Sequence, residues 1–131
     1  MKILLDTHIW VWSVAAPQKL GSKLRRHIED VRNELYLSPV SMWESQFALR
    51  RKTYKMSMPY HQWVEKAFAE YPVSEAPLNF AVAMEAASIV LPHPDIGDQF
   101  LAATAIVHGL TLATADEQLL ACRSVKTIPN N

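Results

Sequence analysis

The sequence predicts an α/β fold, a small and mostly parallel sheet covered on both faces by helices. Two patterns carry that expectation. Brief aliphatic runs of strand length alternate along the chain with longer helical patterns, and no internal repeat or low-complexity tract interrupts the alternation. The chain has 131 residues, 50% hydrophobic and 20% charged, which suits one domain, residues 1–131, around one core.

Each element follows from local pattern. Lys2 to Leu5 is a short aliphatic run that ends abruptly at Asp6, the mark of a buried strand, and His8-Ile9-Trp10-Val11-Trp12 begins a helix behind it. From Ser22, apolar residues fall at Leu24, Ile28 and Val31, while Arg25/Glu29 and Arg26/Asp30 make i,i+4 pairs on the outer face of an amphipathic helix. Leu35-Tyr36-Leu37 reads as a second strand. Ser41 opens a helix through about Lys52, with Trp43 and Phe47 on one face and the cations Arg50, Arg51, Lys52 and Lys55 at its end. Pro59 opens the next, turning Val64, Ala67, Phe68 and Tyr71 inward.

Pro72 to Pro77 reads as an irregular or short extended link. Pro77 occupies the favoured first position of a helix that reaches about Val90 before Pro92 and Pro94 stop it. Asp98 to His108 is apolar nearly all round and rich in Ala, so it is expected as a buried helix closed by Gly109. Leu110 to Thr114 is then a strand, Glu117 to Ala121 a short helix and Val125 to Ile128 a last strand.

Composition narrows the function classes. Thirteen Lys and Arg balance thirteen Asp and Glu, so any charged partner must be recognised locally. The single cysteine, Cys122, excludes an internal disulfide framework and a Cys-rich zinc module, and points to the reducing cytoplasm. MKILLD meets Asp6 after three apolar residues, too short for a signal peptide, and no apolar run approaches the ~18 residues of a membrane span, so no membrane association is expected. With three scattered glycines, neither GxGxxG nor a Walker A loop fits.

In an open parallel sheet, ligands lie beyond the carboxyl ends of the strands. Asp6 directly follows the first strand, and Asp116 follows Thr111-Leu112-Ala113-Thr114 after one alanine. Glu44 and Asp98 stand near helix starts. Each acid has a local explanation as well: Asp6 or Thr7 and Asp116 as helix caps, Ser41-x-x-Glu44 as a capping box, and Asp95 with Asp98 as a cap and its dipole partner. Together they say more. At about 5 Å and an effective dielectric near 20, each like-charge pair repels by about 3 kcal/mol, so four converging carboxylates call for a cation. All-oxygen ligation without paired His or Cys favours Mg²⁺ or Mn²⁺ over zinc.

Leu4-Leu5-Asp6-Thr7-His8-Ile9-Trp10, Ser41-x-x-Glu44, Asp98-Gln99-Phe100-Leu101-Ala102-Ala103-Thr104-Ala105 and Leu112-Ala113-Thr114-Ala115-Asp116 resemble, in order and spacing, the four acidic motifs of PIN-domain nucleases. The subgroup most resembled is the VapC-type toxin of bacterial toxin–antitoxin pairs. The resemblance spans essentially the whole chain. It implies a three-layer α/β/α fold and a Mg²⁺- or Mn²⁺-dependent endoribonuclease, commonly a homodimer, held inactive by a small cognate antitoxin. Carried over, Asp6, Glu44 and Asp98 are the metal-binding acids, Asp116 the fourth acid, Thr114 a supporting hydroxyl and Thr7 a secondary polar contact. Relatives often carry D-P-F-D where this chain reads Asp95-Ile96-Gly97-Asp98, which leaves Asp95 as a supporting carboxylate, and Asn where it has Ala115. The implied chemistry is in-line attack by metal-activated water on an RNA phosphodiester, the 3′ oxygen leaving.

Setting the four acids aside leaves thirteen positive against nine negative residues (13 − 4). Lys23, Arg25, Arg26, Arg50, Arg51, Lys52 and Lys55 are therefore candidates for RNA phosphate contact, Arg51 foremost because it returns to the helix face of Glu44. Trp10, Trp12, Trp43, Trp63 and Phe47 read as core or interface, some of them lining a groove for the antitoxin. The five histidines share no metal spacing, and His8, two residues from Asp6, is the one worth testing. Two other readings share the pattern: a PIN-like module that binds RNA or protein without cutting, and a phosphatase or phospho-acceptor domain. The second lacks an Asp two residues beyond Asp6, where His8 stands.

Overall fold

The computed structural model describes residues 1–51 and 58–131, the Arg51 side chain excepted. The candidate cations Lys52 and Lys55, and the Arg51 side chain, lie outside that description. Five strands form one sheet: β1 (Lys2–Leu5), β2 (Glu34–Leu37), β3 (Ser74–Glu75), β4 (Thr111–Thr114) and β5 (Thr127–Pro129). Their order is β3-β2-β1-β4-β5 and every pairing between them is parallel. The helices are α1 (Thr7–Ala15), α2 (Ser22–Glu29), α3 (Pro39–Arg51), α4 (Tyr60–Glu70), α5 (Phe80–Ala86), α6 (Ile96–His108) and α7 (Glu117–Leu120), with a 3₁₀ turn at Pro17–Lys19.

Strand alternation makes the three layers. Ile3 and Leu5 of β1, with Leu35, Leu37 and Ala113, pack against Ile9 and Trp10 of α1, Leu24 and Ile28 of α2, Leu49 of α3 and Trp63 and Ala67 of α4. Leu4 and Leu112 point the other way, onto Val82 and Ala86 of α5, Leu101 to Ala103 of α6 and Leu119 of α7. The small side chains of α6 let it lie close to the sheet. Gly109 ends it in the left-handed region at φ 65°, where any Cβ would be strained.

Several local expectations are corrected. Helix α3 begins at Pro39, which supplies a preset φ, and Ser38 Oγ accepts from the Val40 N–H at 3.1 Å. Ser41 is therefore not the cap. Helix α5 starts at Phe80 rather than Pro77, with Asn79 as its cap accepting from Val82 N at 3.0 Å, and it ends at Ala86 rather than near Val90. The link after Pro72 contains β3, added parallel to β2. In α2, Arg25 pairs with Glu29 at 2.8 Å, but Asp30 lies past the helix end and takes Arg32 instead, leaving Val31 exposed. Phe68, expected inward, sits at the surface. No helix among the described residues is long and apolar enough to cross a membrane.

Among the described residues the α2 N-terminus has no side-chain cap. The Asn131 carbonyl takes its place, accepting from the N–H groups of Lys23 (2.9 Å) and Leu24 (3.0 Å).

The strand order reverses between β1 and β4: the chain builds outward through β2 and β3, then returns to lay β4 on the other side of β1. That break is where adjoining loops part and leave a crevice above the carboxyl ends of the strands.

Candidate metal centre

Asp6 emerges at the crevice directly from β1, its N–H still bonded to the Ala113 carbonyl at 3.0 Å. It caps α1: Oδ1 accepts from the Thr7 N–H at 2.7 Å, while Oδ2 accepts from Thr114 Oγ1 at 2.6 Å. Thr114 ends β4 and also accepts from the Asp116 N–H at 3.0 Å, so one buried hydroxyl joins two acid-bearing loops. Thr7 donates its own hydroxyl to Glu44 Oε1 at 2.8 Å, tying α1 to α3.

On the far wall, Asp95 caps α6 by accepting from the Asp98 N–H at 2.9 Å, and Asp116 caps α7 by accepting from Leu119 N at 3.0 Å. Capping and convergence are thus not alternatives here. Asp6, Glu44, Asp95, Asp98 and Asp116 all line one cleft of about 900 Å³, together with Thr7. The first turns of α1 and α6 also face it, and their partial positive charge favours the carboxylates by ~0.3–1 kcal/mol each.

The Glu44 capping box is absent. Glu44 is turned to Thr7, and the Ser41 hydroxyl is buried with no hydrogen-bond partner among the described residues. Gly97 explains how Glu44 fits: a Cβ there would stand 2.5 Å from Glu44 Oε2 and 3.2 Å from Asp95 Oδ1. The carboxylate occupies space that any other residue would fill.

The field in the cleft is strongly negative. Burial pushes the Asp98 carboxyl up, and the charges of Asp95, Asp116, Asp6 and Glu44 push it further, to about 7. Burial also raises Glu44, against the opposing Thr7 hydrogen bond, and raises Asp6, against the bonds from Thr114 and Thr7. His8, exposed on the same rim, favours the ionised forms of both. Asp6, Glu44 and Asp98 are thus held among other carboxylates at a cost that a cation would relieve.

The donor set suits a hard divalent ion: carboxylate oxygens, no thiol, and space for Glu44 secured by a glycine. The oxygens are arrayed around the cleft rather than drawn together, and no group of three His, Cys, Asp or Glu among the described residues is already closed to ligand spacing.

The PIN domain profile matches residues 3–123. The chain belongs to the PIN domain family. Ribonuclease VapC22 of Mycobacterium tuberculosis is 29% identical over 127 residues, 96% of this chain and 95% of that protein. The PIN fold is shared with the DNA-bound VapBC crystal structure from Salmonella typhimurium (TM-score 0.70, 14% identity, 100% of this chain and 99% of that one). It is shared equally with VapBC2 from Rickettsia felis bound to a promoter DNA fragment (TM-score 0.69, 12% identity, 100% of both chains).

Not every feature of this PIN domain cleft is anticipated by the acidic motifs. Trp12, Trp43, Phe47 and Lys19 line it too, and Trp43 is 63% exposed rather than part of a core. Its spacing with Phe47 on one helix face gives the pairing but not the direction in which that face points. Trp10 and Trp63 do belong to the core, in edge contact at 5.2 Å. Arg50 is exposed at the end of α3 with its guanidinium 5.9 Å from the Phe47 ring.

Proposed function

We propose that this chain, as one domain over residues 1–131, is a Mg²⁺- or Mn²⁺-dependent endoribonuclease and the toxin of a toxin–antitoxin pair. The carrying observation is that Asp6, Glu44, Asp98 and Asp116 line one cleft at the crevice between β1 and β4, where burial, and then its acidic neighbours, push Asp98 up to about 7. Similarity to a protein named as a ribonuclease supports the substrate class. Similarity in fold to chains solved as toxin–antitoxin complexes supports a cognate antitoxin as partner, and the single cysteine fits the reducing cytoplasm as the place they meet. Homodimerisation is part of the same reading, resting on the family resemblance alone.

In this reading Asp6, Glu44, Asp98 and Asp116 hold the ion. Bound there, such an ion would supply an activated water and charge neutralisation at the phosphate. Thr114 fixes the Asp6 carboxylate and Thr7 fixes Glu44, so neither rotates away when a phosphate approaches. Asp95 keeps the α6 first turn in place and adds negative charge beside Asp98. Arg50, with Arg51 and Lys52, contacts the RNA backbone beyond the acids.

The test is Asp98→Asn. Loss of Mg²⁺- or Mn²⁺-dependent RNA cleavage with an unchanged circular dichroism spectrum is expected. Full cleavage by the variant removes Asp98 from the ion site, and a wild-type chain that binds RNA in the presence of the ion but never cuts it fits the binding-only module instead.

A further inference from the structure

Along α3, Trp43, Phe47 and Arg50 fall at i, i+4 and i+7, a single helical stripe that starts one residue before Glu44. The Trp43 and Phe47 rings meet edge to face with centroids 4.8 Å apart, and the Arg50 guanidinium lies 5.9 Å from the Phe47 ring. Trp43 and Phe47 line the acid cleft itself, with Trp12 of α1 beside them. An indole 63% exposed on the wall of a charged cleft keeps most of its surface in water, so burial in the core does not account for it.

We infer that this stripe is a track for single-stranded RNA, with an unpaired base next to the cut phosphate stacked on Trp43 and the backbone carried outward to Arg50. The inference rests on the ribonuclease reading and specifies how the RNA is held.

The electrostatics favour this occupant. Away from the ion that would receive the cut phosphate, the acids of the cleft repel phosphate, so the portion of RNA that can approach the cleft wall closely is the neutral face of a base. Aromatic stacking binds that face whatever the sequence, and a cation at the far end meets the phosphate where the acids no longer dominate. A base in a duplex has both faces covered by its neighbours, so the track selects unpaired segments. The stripe is continuous with the acid site rather than on another face, which fits a segment that must pass both.

The experiment measures binding of a fluorescent single-stranded RNA oligonucleotide to the full chain, in EDTA and with Ca²⁺, by anisotropy and by tryptophan quenching. Trp43→Ala is expected to weaken binding roughly five- to hundred-fold, the range of one lost base stack. Trp43→Phe keeps a ring and should bind within a few-fold of wild type while losing the Trp43 share of the quench, since Trp10 and Trp63 are buried and the half-buried Trp12 is the other indole in the cleft. The same sequence as a duplex should bind more weakly than the single strand. With Mg²⁺ or Mn²⁺, Trp43→Ala should raise KM for cleavage by a similar factor.

Unchanged RNA affinity in a folded Trp43→Ala variant, equal binding of duplex and single strand, or no RNA binding by wild type under either condition overturns the track. So does a Trp43→Ala chain that binds RNA normally but no longer binds a protein partner, because the face is then a protein-docking surface. Cleavage by wild type with no Trp43 effect sinks the track and keeps the nuclease. Trp43-dependent binding without cleavage does the reverse.

Discussion

Thr114 Oγ1 donates to Asp6 Oδ2 at 2.6 Å, joining residues 108 positions apart at the ends of adjacent parallel strands. The bond satisfies one oxygen of a buried carboxylate that burial otherwise pushes toward its neutral form. Thr114→Val keeps the shape and removes the donor. It should cost about 1–3 kcal/mol at neutral pH, read by urea unfolding, and move the acidic limb of the pH–rate profile upward, because Asp6 then ionises at higher pH. Thr114→Ser should restore both; an inert Thr114→Val would mean that the bond does not hold Asp6.

Ser41 separates two structures for one motif. If it capped α3, Ser41→Ala would cost ~1 kcal/mol. Its hydroxyl is instead buried with no hydrogen-bond partner among the described residues, so removing it should be neutral or slightly stabilising in urea titrations. A clear loss of stability would return Ser41 to the cap.

Gly97 divides stability from activity. Its φ is not in the left-handed region, so Gly97→Ala gains helix propensity of up to ~1 kcal/mol. The new Cβ must displace the end of the flexible Glu44 side chain. The expected result is a melting temperature equal to or above wild type, with RNA cleavage and calorimetric Mn²⁺ affinity both reduced. Intact Mn²⁺ affinity and cleavage would show that Glu44 accommodates the methyl without consequence.

The raised acids set a pH dependence opposite to the usual carboxylate case. Between about 4 and about 7 the folded chain retains a proton on Asp98 that the unfolded chain has released. Stability without a divalent ion should therefore fall as pH rises through that window, with Glu44 and Asp6 adding in the same sense. Added Mn²⁺ should raise the melting temperature more at pH 8 than at pH 5. Equal increments at both pH values, or ion-free stability that climbs between pH 5 and 7, would show that the acids do not share a field.

Much of the fold is legible because β1, β2 and β4 are centred on brief apolar runs that stop at a polar residue. Asp6 and the Thr114–Asp116 segment stand at such stops, so their place at the strand ends follows from pattern alone. The partnership across Thr7 and Glu44 does not, since it depends on how α1 lies against α3. Ser41-x-x-Glu44 reads as a capping box because the spacing is right, yet Pro39 begins the helix earlier and leaves Glu44 free for Thr7. β3 is two exposed residues, Ser74 and Glu75, too short to show alternation. Trp43 has the helical spacing of a core residue, and only the tertiary placement of α3 turns it toward the cleft.

Because Asp6, Asp95 and Asp116 each engage a backbone N–H at a helix start, replacing any of them with alanine would disturb folding and chemistry together. Asparagine keeps an amide oxygen for that bond while deleting the charge. An alanine scan of this molecule would therefore overstate how much each acid contributes to turnover, and amide-for-acid exchange is the cleaner instrument.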